Sequence, residues 1–259
     1  MSKVAVMSLS GGMDSTSLLM HLLAGDYDVK ALSFNYGQKH FVELHRASKN
    51  IEYLKDNNIH VKHKIIDISD AMNVFYSALT DKRFDVQEGH YEQESMKDTV
   101  VPNRNMIFSS IVFGYAQSIV NKHGLNVTVS LGVHAGDHEI YPDCREVFFT
   151  KLFEAFKIGN WNSDKVNLYL PYLKNSKYDI LCDAQSSIEA LGLDFDTVFE
   201  NTNTSYNPDI AGRSSGRSGA DVERILAFNE LGRKDPVQYL KPWDEVLNHA
   251  LTVEKEFVK

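Results

Sequence analysis

Short stretches rich in β-branched residues alternate with amphipathic stretches along most of this chain, and this alternation limits the possible fold more than any other feature. Alternation of this kind predicts a mostly parallel sheet, covered on both faces by helices that form right-handed crossovers. We therefore predict an α/β fold, a single Rossmann-like domain whose ligands bind beyond the carboxyl ends of the strands. The expected strands are 3–9, 29–35, 61–66, 126–131 and 166–170, and the expected helices are 15–24, 41–56, 104–120, 145–157 and 177–190.

Two segments interrupt the alternation. Residues 78–103 are polar and acidic without clear periodicity, and loops of that length are often lids, which is the role we predict here. Residues 201–221 are rich in Gly, Ser and Asn and have the composition of a flexible linker. The tail from Pro236 onward is predicted to form a short amphipathic helix. We thus expect a core at 1–200 with a lid-like insertion, and a small helical extension at 201–259.

The bulk composition excludes several classes of protein. The 259-residue chain has no run approaching the ~20 apolar residues of a membrane span, and its N-terminus lacks a signal-peptide cleavage site, so we predict a cytoplasmic location. Its net charge of −8 argues against nonspecific nucleic-acid binding. Arg213, Arg217 and Arg224 are a local exception, and we expect them on a solvated loop. Two cysteines, Cys144 and Cys182, do not make a disulfide framework.

Residues 10–15, with the sequence Ser-Gly-Gly-Met-Asp-Ser, join the first predicted strand to the first predicted helix. Backbone N–H groups converge at such a helix N-terminus, where the helix dipole favours an anion. The paired glycines allow close approach of a diphosphate, and the hydroxyls of Ser10, Ser15 and Thr16 add donors. The spacing is not that of a Walker loop, and Asp14 suits a magnesium ion shared with the pyrophosphate. The alternative is a tight turn with Asp14 as an N-cap.

This string after an N-terminal strand resembles the PP-loop ATP pyrophosphatase superfamily, which implies cleavage of ATP between its α and β phosphates and an adenine nucleotide α-hydrolase-like fold. Further segments resemble 7-cyano-7-deazaguanine synthases, and the likeness extends in order over about residues 3–240. These segments are residues 33–40 with Glu43, residues 101–105, residues 132–138 running into 141–145, and residues 175–177.

The resemblance implies an ATP-dependent carbon–nitrogen ligase that uses ATP and Mg²⁺. Such enzymes adenylate the carboxylate of 7-carboxy-7-deazaguanine, let ammonia form an amide, and activate the amide again to reach the nitrile. Asp14, Ser15, Lys177 and Arg104 are then the expected catalytic residues. Without the resemblance, Lys177 would be a solvated helix residue and Arg104 a cap on the preceding loop. The implied ATP site comprises Leu9, Ser10, Gly11, Gly12, Met13, Asp14, Ser15, Thr16, Phe34, Asn35 and Arg104.

A planar, guanine-like substrate requires a flat slot with directional hydrogen bonds. Asp143 is a candidate acceptor for its N1–H and amino group, and Tyr141 a candidate for stacking. Cys144 is explained equally well as a small buried thiol. His134 and His138 lack metal-ligand spacing, so we interpret them as loop residues that contact the substrate. The implied substrate site comprises Tyr36, Gln38, His40, Asn105, His134, Asp137, Tyr141, Asp143 and Arg145.

The resemblance fails where the synthases carry four cysteines that bind a structural zinc. The matching positions here are Ser205, Ser215, Ser218 and Asp221, and hydroxyls do not replace thiolates as zinc ligands. We expect no zinc, so packing or a partner must offset the lost folding energy, or the loop is mobile. Synthase-like proteins also occur in type IV CBASS anti-phage systems, which implies a defence paralogue that joins the deazaguanine to a protein amine.

A second hypothesis is a catalytically silent nucleotide-binding scaffold that uses the altered 201–221 loop. The replaced cysteines motivate it, whereas the intact Asp14, Lys177 and Arg104 oppose it. The sequence does not decide between ammonia and a protein amine as the nucleophile. It does not fix the oligomeric state either, and a homodimer is one candidate. Neither a membrane nor a nucleic acid is expected as a direct partner.

Overall fold

The computed structural model describes residues 3–38, 42–75, 101–134, 142–205, 208–209 and 211–257, which form a parallel sheet flanked by helices. The order of the strands across the sheet is β3-β2-β1-β4-β5, and each neighbouring pair is parallel. This arrangement confirms the predicted α/β class. The strands are β1 (Lys3–Ser8), β2 (Tyr27–Asn35), β3 (Lys62–Asp67), β4 (Val127–Ser130) and β5 (Val166–Tyr169).

The five predicted helices are present, each end lying within three residues of its expected position. A helix also forms in the tail, as predicted from Pro236 onward. Three further helices were not expected, and two of them span fewer than two turns, too short for a periodic pattern. The helices are α1 (Met13–Ala24), α2 (Val42–Asp56), α3 (Ser69–Met72), α4 (Arg104–His123), α5 (Glu146–Gly159), α6 (Lys177–Ala190), α7 (Phe195–Glu200), α8 (Gly219–Glu230) and α9 (Trp243–Phe257).

Strand β1 lies at the centre of the sheet, and its side chains alternate between two hydrophobic cores. Ala5 and Met7 pack with the apolar faces of α1 and α6. Val4 and Val6 pack on the opposite face, against α4. All four side chains are at most 4% exposed, as expected for a parallel strand buried on both faces.

The order of the strands reverses direction at β1. From β1 the chain moves outward through β2 to β3, whereas β4 and β5 lie on the other side. A crevice for ligands forms where the connections from two neighbouring strands diverge in this way. The carboxyl ends of β1 and β4 therefore position the residues that follow them, 9–12 and 131–134, at the crevice.

The predicted lid, 78–103, lies outside the described residues except for 101–103. Asn103 adopts a left-handed conformation, with φ of 62°, immediately before α4 begins at Arg104. Within the described ranges, no helix combines the length and apolar character needed to cross a bilayer.

Candidate functional site

The loop between β1 and α1 packs directly against the first turn of α2. Gly11 has φ of +91°, and a Cβ atom at this position would lie 2.1 Å from the backbone oxygen of Glu43. Only glycine satisfies both conditions. Two hydroxyls brace the same loop: Ser10 Oγ lies 2.9 Å from Ser15 Oγ, and the Gly12 N–H donates to Ser10 Oγ at 3.2 Å. The loop is therefore held open at the N-terminus of α1 rather than collapsed into a tight turn.

Asp14 lies in the first turn of α1 and forms an ion pair with Lys177. Lys177 Nζ donates to Asp14 Oδ2 at 2.5 Å, and His134 Nε2 lies 3.9 Å from the same oxygen. Burial alone would raise the pKa of Asp14, but Lys177 and His134 outweigh it and hold the pKa below its usual value. Asp14 is thus ionised, and among the described residues its other oxygen, Oδ1, is buried without a hydrogen-bond partner.

Lys177 is fixed by the start of α6. Ser176 is the N-cap of this helix, and its side chain accepts from the N–H of Asp179 while the Asp179 carboxylate accepts from the N–H of Ser176. This capping box sets the direction in which the helix begins. The Lys177 side chain is only 12% exposed, so the ammonium is held beside the loop and is not a solvated surface charge.

The segment after β2 builds a second wall opposite the loop. Gln38 holds its turn closed, because its side-chain oxygen accepts from the Tyr36 N–H at 2.9 Å and its amide donates to Phe34 O at 3.2 Å. The Phe34 and Phe108 rings stack with their centroids 4.2 Å apart. The Arg104 guanidinium lies 6.0 Å from the centre of the Tyr36 ring. A planar cation thus stands beside an aromatic surface.

One cleft of about 260 Å³ connects the loop with this wall. It brings together seven of the predicted site residues, Ser10, Asp14, Ser15, Tyr36, Gln38, Arg104 and Asn105. Lys177 and His134 adjoin it through Asp14. The remaining lining residues are Ser8, Glu43, Phe108, Ser109, Leu131, Gly132, Val133, Cys144, Phe149, Asn203 and Ser205.

The other predicted residues lie apart from this lining. Leu9, Met13 and Phe34 are core side chains, and Thr16 is fully buried in α1. Asn35 donates to Asp67 at the end of β2. Gly11 and Gly12 contribute backbone to the loop, whereas Asp143 and Arg145 flank Cys144 without lining the cleft themselves. His40, Asp137, His138 and Tyr141 are outside the described residues.

Glu43 is one of the lining residues to which sequence reasoning assigned no role, although it is part of the motif that follows β2. It belongs to the first turn of α2, and α2 begins at the carboxyl edge of the sheet. That placement is the signal that would have identified it. Desolvation raises the pKa of Glu43 to about 7, although the Arg104 charge acts in the opposite direction.

The four positions matching the zinc cysteines form a hydrogen-bonded group together with Ser214. We call this group the Ser/Asp cluster: Ser205, Ser214, Ser215, Ser218 and Asp221. The hydroxyls of Ser205 and Ser215 donate to Asp221 Oδ2 at 3.0 and 3.1 Å, and that of Ser214 donates to Oδ1 at 2.5 Å. Ser218 and Asp221 also form the capping box that starts α8. Asp221 is 1% exposed, so the described part of this segment contains a buried polar network although its composition alone is typical of a flexible linker.

Arg224 extends the same buried network. Its guanidinium donates to both oxygens of Asp235, at 2.6 and 2.8 Å, and to the hydroxyl of Thr202 at 2.7 Å. It is 1% exposed, so the prediction of a solvated arginine is wrong here, although Arg213 and Arg217 are exposed as expected. A buried guanidinium needs a full set of acceptors, and an isolated sequence does not reveal them.

The network reaches the loop between β1 and α1 through Asn203. Its backbone N–H donates to Gly11 O at 2.9 Å, and its side chain donates to Ser205 O at 3.0 Å. Within the described ranges, no group of three or more His, Cys, Asp or Glu side chains is arranged to hold a metal ion. The polar groups of the Ser/Asp cluster hydrogen-bond to one another, and Asn203 links the cluster to the loop.

Comparisons with known proteins show which family this chain is similar to. Residues 4–232 match the protein family described as queuosine biosynthesis protein QueC. The 7-cyano-7-deazaguanine synthase of Psychromonas ingrahamii is 44% identical over 92% of this chain and 99% of its own length. The synthase of the same name from Methanoregula boonei is 44% identical over 91% of this chain and 98% of its length. Among solved structures, NMN synthetase from Francisella tularensis has a TM-score of 0.44 at 14% identity, covering 97% of this chain and 87% of that one.

Proposed function

Because the chain belongs to the family described as queuosine biosynthesis protein QueC, we propose that it is an ATP-dependent enzyme that adenylates the carboxylate of 7-carboxy-7-deazaguanine. Adenylation releases pyrophosphate, and an amine then displaces AMP to form an amide. Where the amine is ammonia, a second activation can convert this amide to a nitrile. The observation that carries this proposal is the single cleft joining the phosphate-binding loop to an aromatic wall. Both reactants are then held where the carboxylate meets the α-phosphorus.

The loop end of the cleft suits a departing pyrophosphate. Ser10 and Ser15 line the cleft where α1 begins, and the N–H groups of a first helical turn favour an anion. Arg104 lines the cleft as well, and Lys177 adjoins it through Asp14. Donors and charges fixed in advance stabilise negative charge as it develops on the leaving group, without reorganisation at the moment of reaction.

Magnesium fits the same end of the cleft. Asp14 is ionised, and its buried Oδ1 has no hydrogen-bond partner among the described residues, which is an expensive state unless a cation or ligand satisfies it. Carboxylate oxygens are preferred ligands of this ion. When bound, Mg²⁺ would neutralise charge on the pyrophosphate, with Asp14 as its protein ligand.

The wall opposite the loop suits a flat heteroaromatic substrate. The Tyr36 and Phe108 rings, with centroids 5.5 Å apart, offer apolar surface, and the Arg104 guanidinium is itself planar. Asn105 supplies both a donor and an acceptor in the cleft. A site of this kind fixes the orientation of a purine-like ring and hence the direction of its carboxylate.

We also propose that the enzyme works without zinc. The residues at the four cysteine positions do not fit that metal, since three are hydroxyls and all four are engaged in the Ser/Asp cluster. The buried hydrogen bonds to the Asp221 carboxylate replace the cross-link that zinc would provide. Activity is expected to survive exhaustive treatment with a zinc-selective chelator when magnesium is restored.

The amine that attacks the adenylate has two candidates, ammonia and a protein amine. Ser205 and Asn203 line the cleft, so the segment that differs from the synthases borders the reaction. This placement motivates a test of whether the attacking amine has changed from ammonia to a protein amine, as in a defence paralogue. With ammonia as the only amine, free nitrile detected by mass spectrometry supports the synthase, and its absence alongside a conjugated polypeptide supports the paralogue.

The direct test is to incubate the protein with ATP, magnesium and 7-carboxy-7-deazaguanine and identify the nucleotide products. We expect AMP and pyrophosphate, whereas ADP and phosphate would contradict the proposal. The matched control is 7-deazaguanine, which lacks the carboxylate and should release neither product. ATP binding without any turnover in the presence of substrate and amine would instead support the silent scaffold.

A further inference from the structure

Glu43 adjoins both the β1–α1 loop and the aromatic wall of the cleft. Its backbone oxygen packs directly against Gly11 of the loop. It lines the same cleft as Tyr36 and Arg104, and the Arg104 charge acts on its carboxylate. Glu43 is therefore a neighbour of the loop, where the proposed function places the formation of AMP, and of the wall, where it places the substrate ring.

The two carboxylates of the cleft, Asp14 and Glu43, have opposite environments. Asp14 is paired with Lys177 and is a weak base, because its pKa is lowered. Glu43 is desolvated and only partly compensated by Arg104 of α4, so that its pKa is raised to about 7. Groups whose pKa values are driven apart in one site commonly divide the acid and base roles. The other titratable groups of the cleft are Tyr36 after β2 and Cys144 before α5.

We propose that Glu43 is the catalytic base that accepts a proton from the attacking amine. This inference rests on the proposed function, because it concerns the step after adenylation. Amines are largely protonated at neutral pH and have no free electron pair to attack with. A base whose pKa is close to the working pH, placed beside the acyl group, can accept this proton and so free the electron pair of the amine. The same requirement applies to ammonia and to a protein amine.

The proton and bond changes balance. One proton moves from the ammonium to the Glu43 carboxylate, and the freed nitrogen forms a bond to the acyl carbon. The bond from that carbon to the bridging oxygen breaks, and AMP leaves with the electron pair on this oxygen. The nitrogen then loses a second proton to water, and Glu43 returns its own proton to the solvent. No oxidant, reductant or further reactant is needed.

The test compares Glu43→Gln with wild type in two assays, exchange of pyrophosphate into ATP and formation of the amide. We expect amide formation from ammonia to fall about 10²-fold or more relative to exchange, the usual contribution of a general base. Hydroxylamine, which is largely unprotonated at neutral pH, should restore product formation by Glu43→Gln to within about 10-fold of wild type. Glu52→Gln, at an exposed site of the same helix, is the matched control and should behave as wild type.

Equal losses with ammonia and hydroxylamine would overturn the inference, because a merely structural role is indifferent to the nucleophile. An unchanged rate with ammonia would also overturn it. If Glu43→Gln does not fold, Glu43→Asp retains a carboxylate and should show a smaller loss with ammonia and none with hydroxylamine. No exchange in wild type would instead overturn the proposed function, and the inference with it.

Discussion

The β1–α1 loop and the Ser/Asp cluster are joined through Asn203, but their buried carboxylates differ in how far their hydrogen bonds are satisfied. In the cluster, the Asp221 carboxylate accepts three hydroxyls and one backbone N–H. At the loop, Asp14 keeps one buried oxygen without a partner among the described residues. Fully satisfied buried groups stabilise a fold, whereas an ionised carboxylate oxygen left unsatisfied beside a cleft is suited to bind a cation or ligand. We therefore expect the Ser/Asp cluster to stabilise the fold and the loop to take part in the reaction.

The largest expected effect is on the support side, from Arg224→Met. Removing one partner of a buried ion pair leaves Asp235 uncompensated, so the free energy of unfolding should fall by about 3–5 kcal/mol. Urea denaturation measures this free energy of unfolding. The control is Arg233→Met, which breaks an exposed ion pair with Asp196 and should lower the free energy of unfolding by at most about 1 kcal/mol. Equal losses in the two variants would remove the distinction between buried and exposed networks.

Asp14→Asn is expected to act mainly on turnover. It removes the charge that holds Lys177, and the rate of pyrophosphate release should fall about 10²–10³-fold, the cost of losing a pre-positioned charged group. The free energy of unfolding should also fall, because the variant breaks a largely buried ion pair, so the rate is measured per folded molecule. Asp56→Asn, at an exposed position, serves as the control. If Asp14→Asn lowers the free energy of unfolding but keeps the wild-type rate per folded molecule, then Asp14 stabilises the fold and does not act in catalysis.

Asp221→Asn sharpens the comparison within the cluster. The amide keeps the shape of the carboxylate but replaces one acceptor oxygen by an NH₂ group. The serine hydroxyls that donate to Asp221 therefore lose hydrogen bonds to a charged acceptor. The free energy of unfolding should fall by about 1.5–3 kcal/mol. Pyrophosphate release per folded molecule should remain within about threefold, measured below the melting temperature. A selective loss of turnover would mean that the cluster acts in chemistry as well as support.

The last expected effect is a pH dependence of stability arising from Glu43. Its pKa is about 7 when folded and near 4.5 when unfolded, so the folded state binds more protons between these values. Stability contributed by this group is therefore present at low pH and lost as pH rises toward 7. Relative to Glu43→Gln, wild type should lose roughly 1 kcal/mol for each pH unit within this window, or about 3 kcal/mol in all. A flat difference would show that burial does not perturb Glu43.

The sequence predicts the loop side of this comparison far better than the support side. The apolar strand before Ser10 and the glycine at position 11 are local signals, and the structure places both as expected. The Ser/Asp cluster has the composition of a linker, and only long-range partners such as Ser205 and Asp221 make it a buried network. Arg224 is similar, because its burial depends on Asp235 and Thr202. Composition does not show which polar side chains hydrogen-bond to each other across long stretches of sequence.

The central claim, that the cleft adenylates a carboxylate, is tested most directly by following oxygen. The protein is incubated with ATP, magnesium, an amine and 7-carboxy-7-deazaguanine carrying ¹⁸O in both carboxylate oxygens, and AMP is analysed by mass spectrometry. Attack of the carboxylate on the α-phosphorus predicts AMP that contains one ¹⁸O atom. Unlabelled AMP, or label found in inorganic phosphate alongside ADP, would contradict the claim.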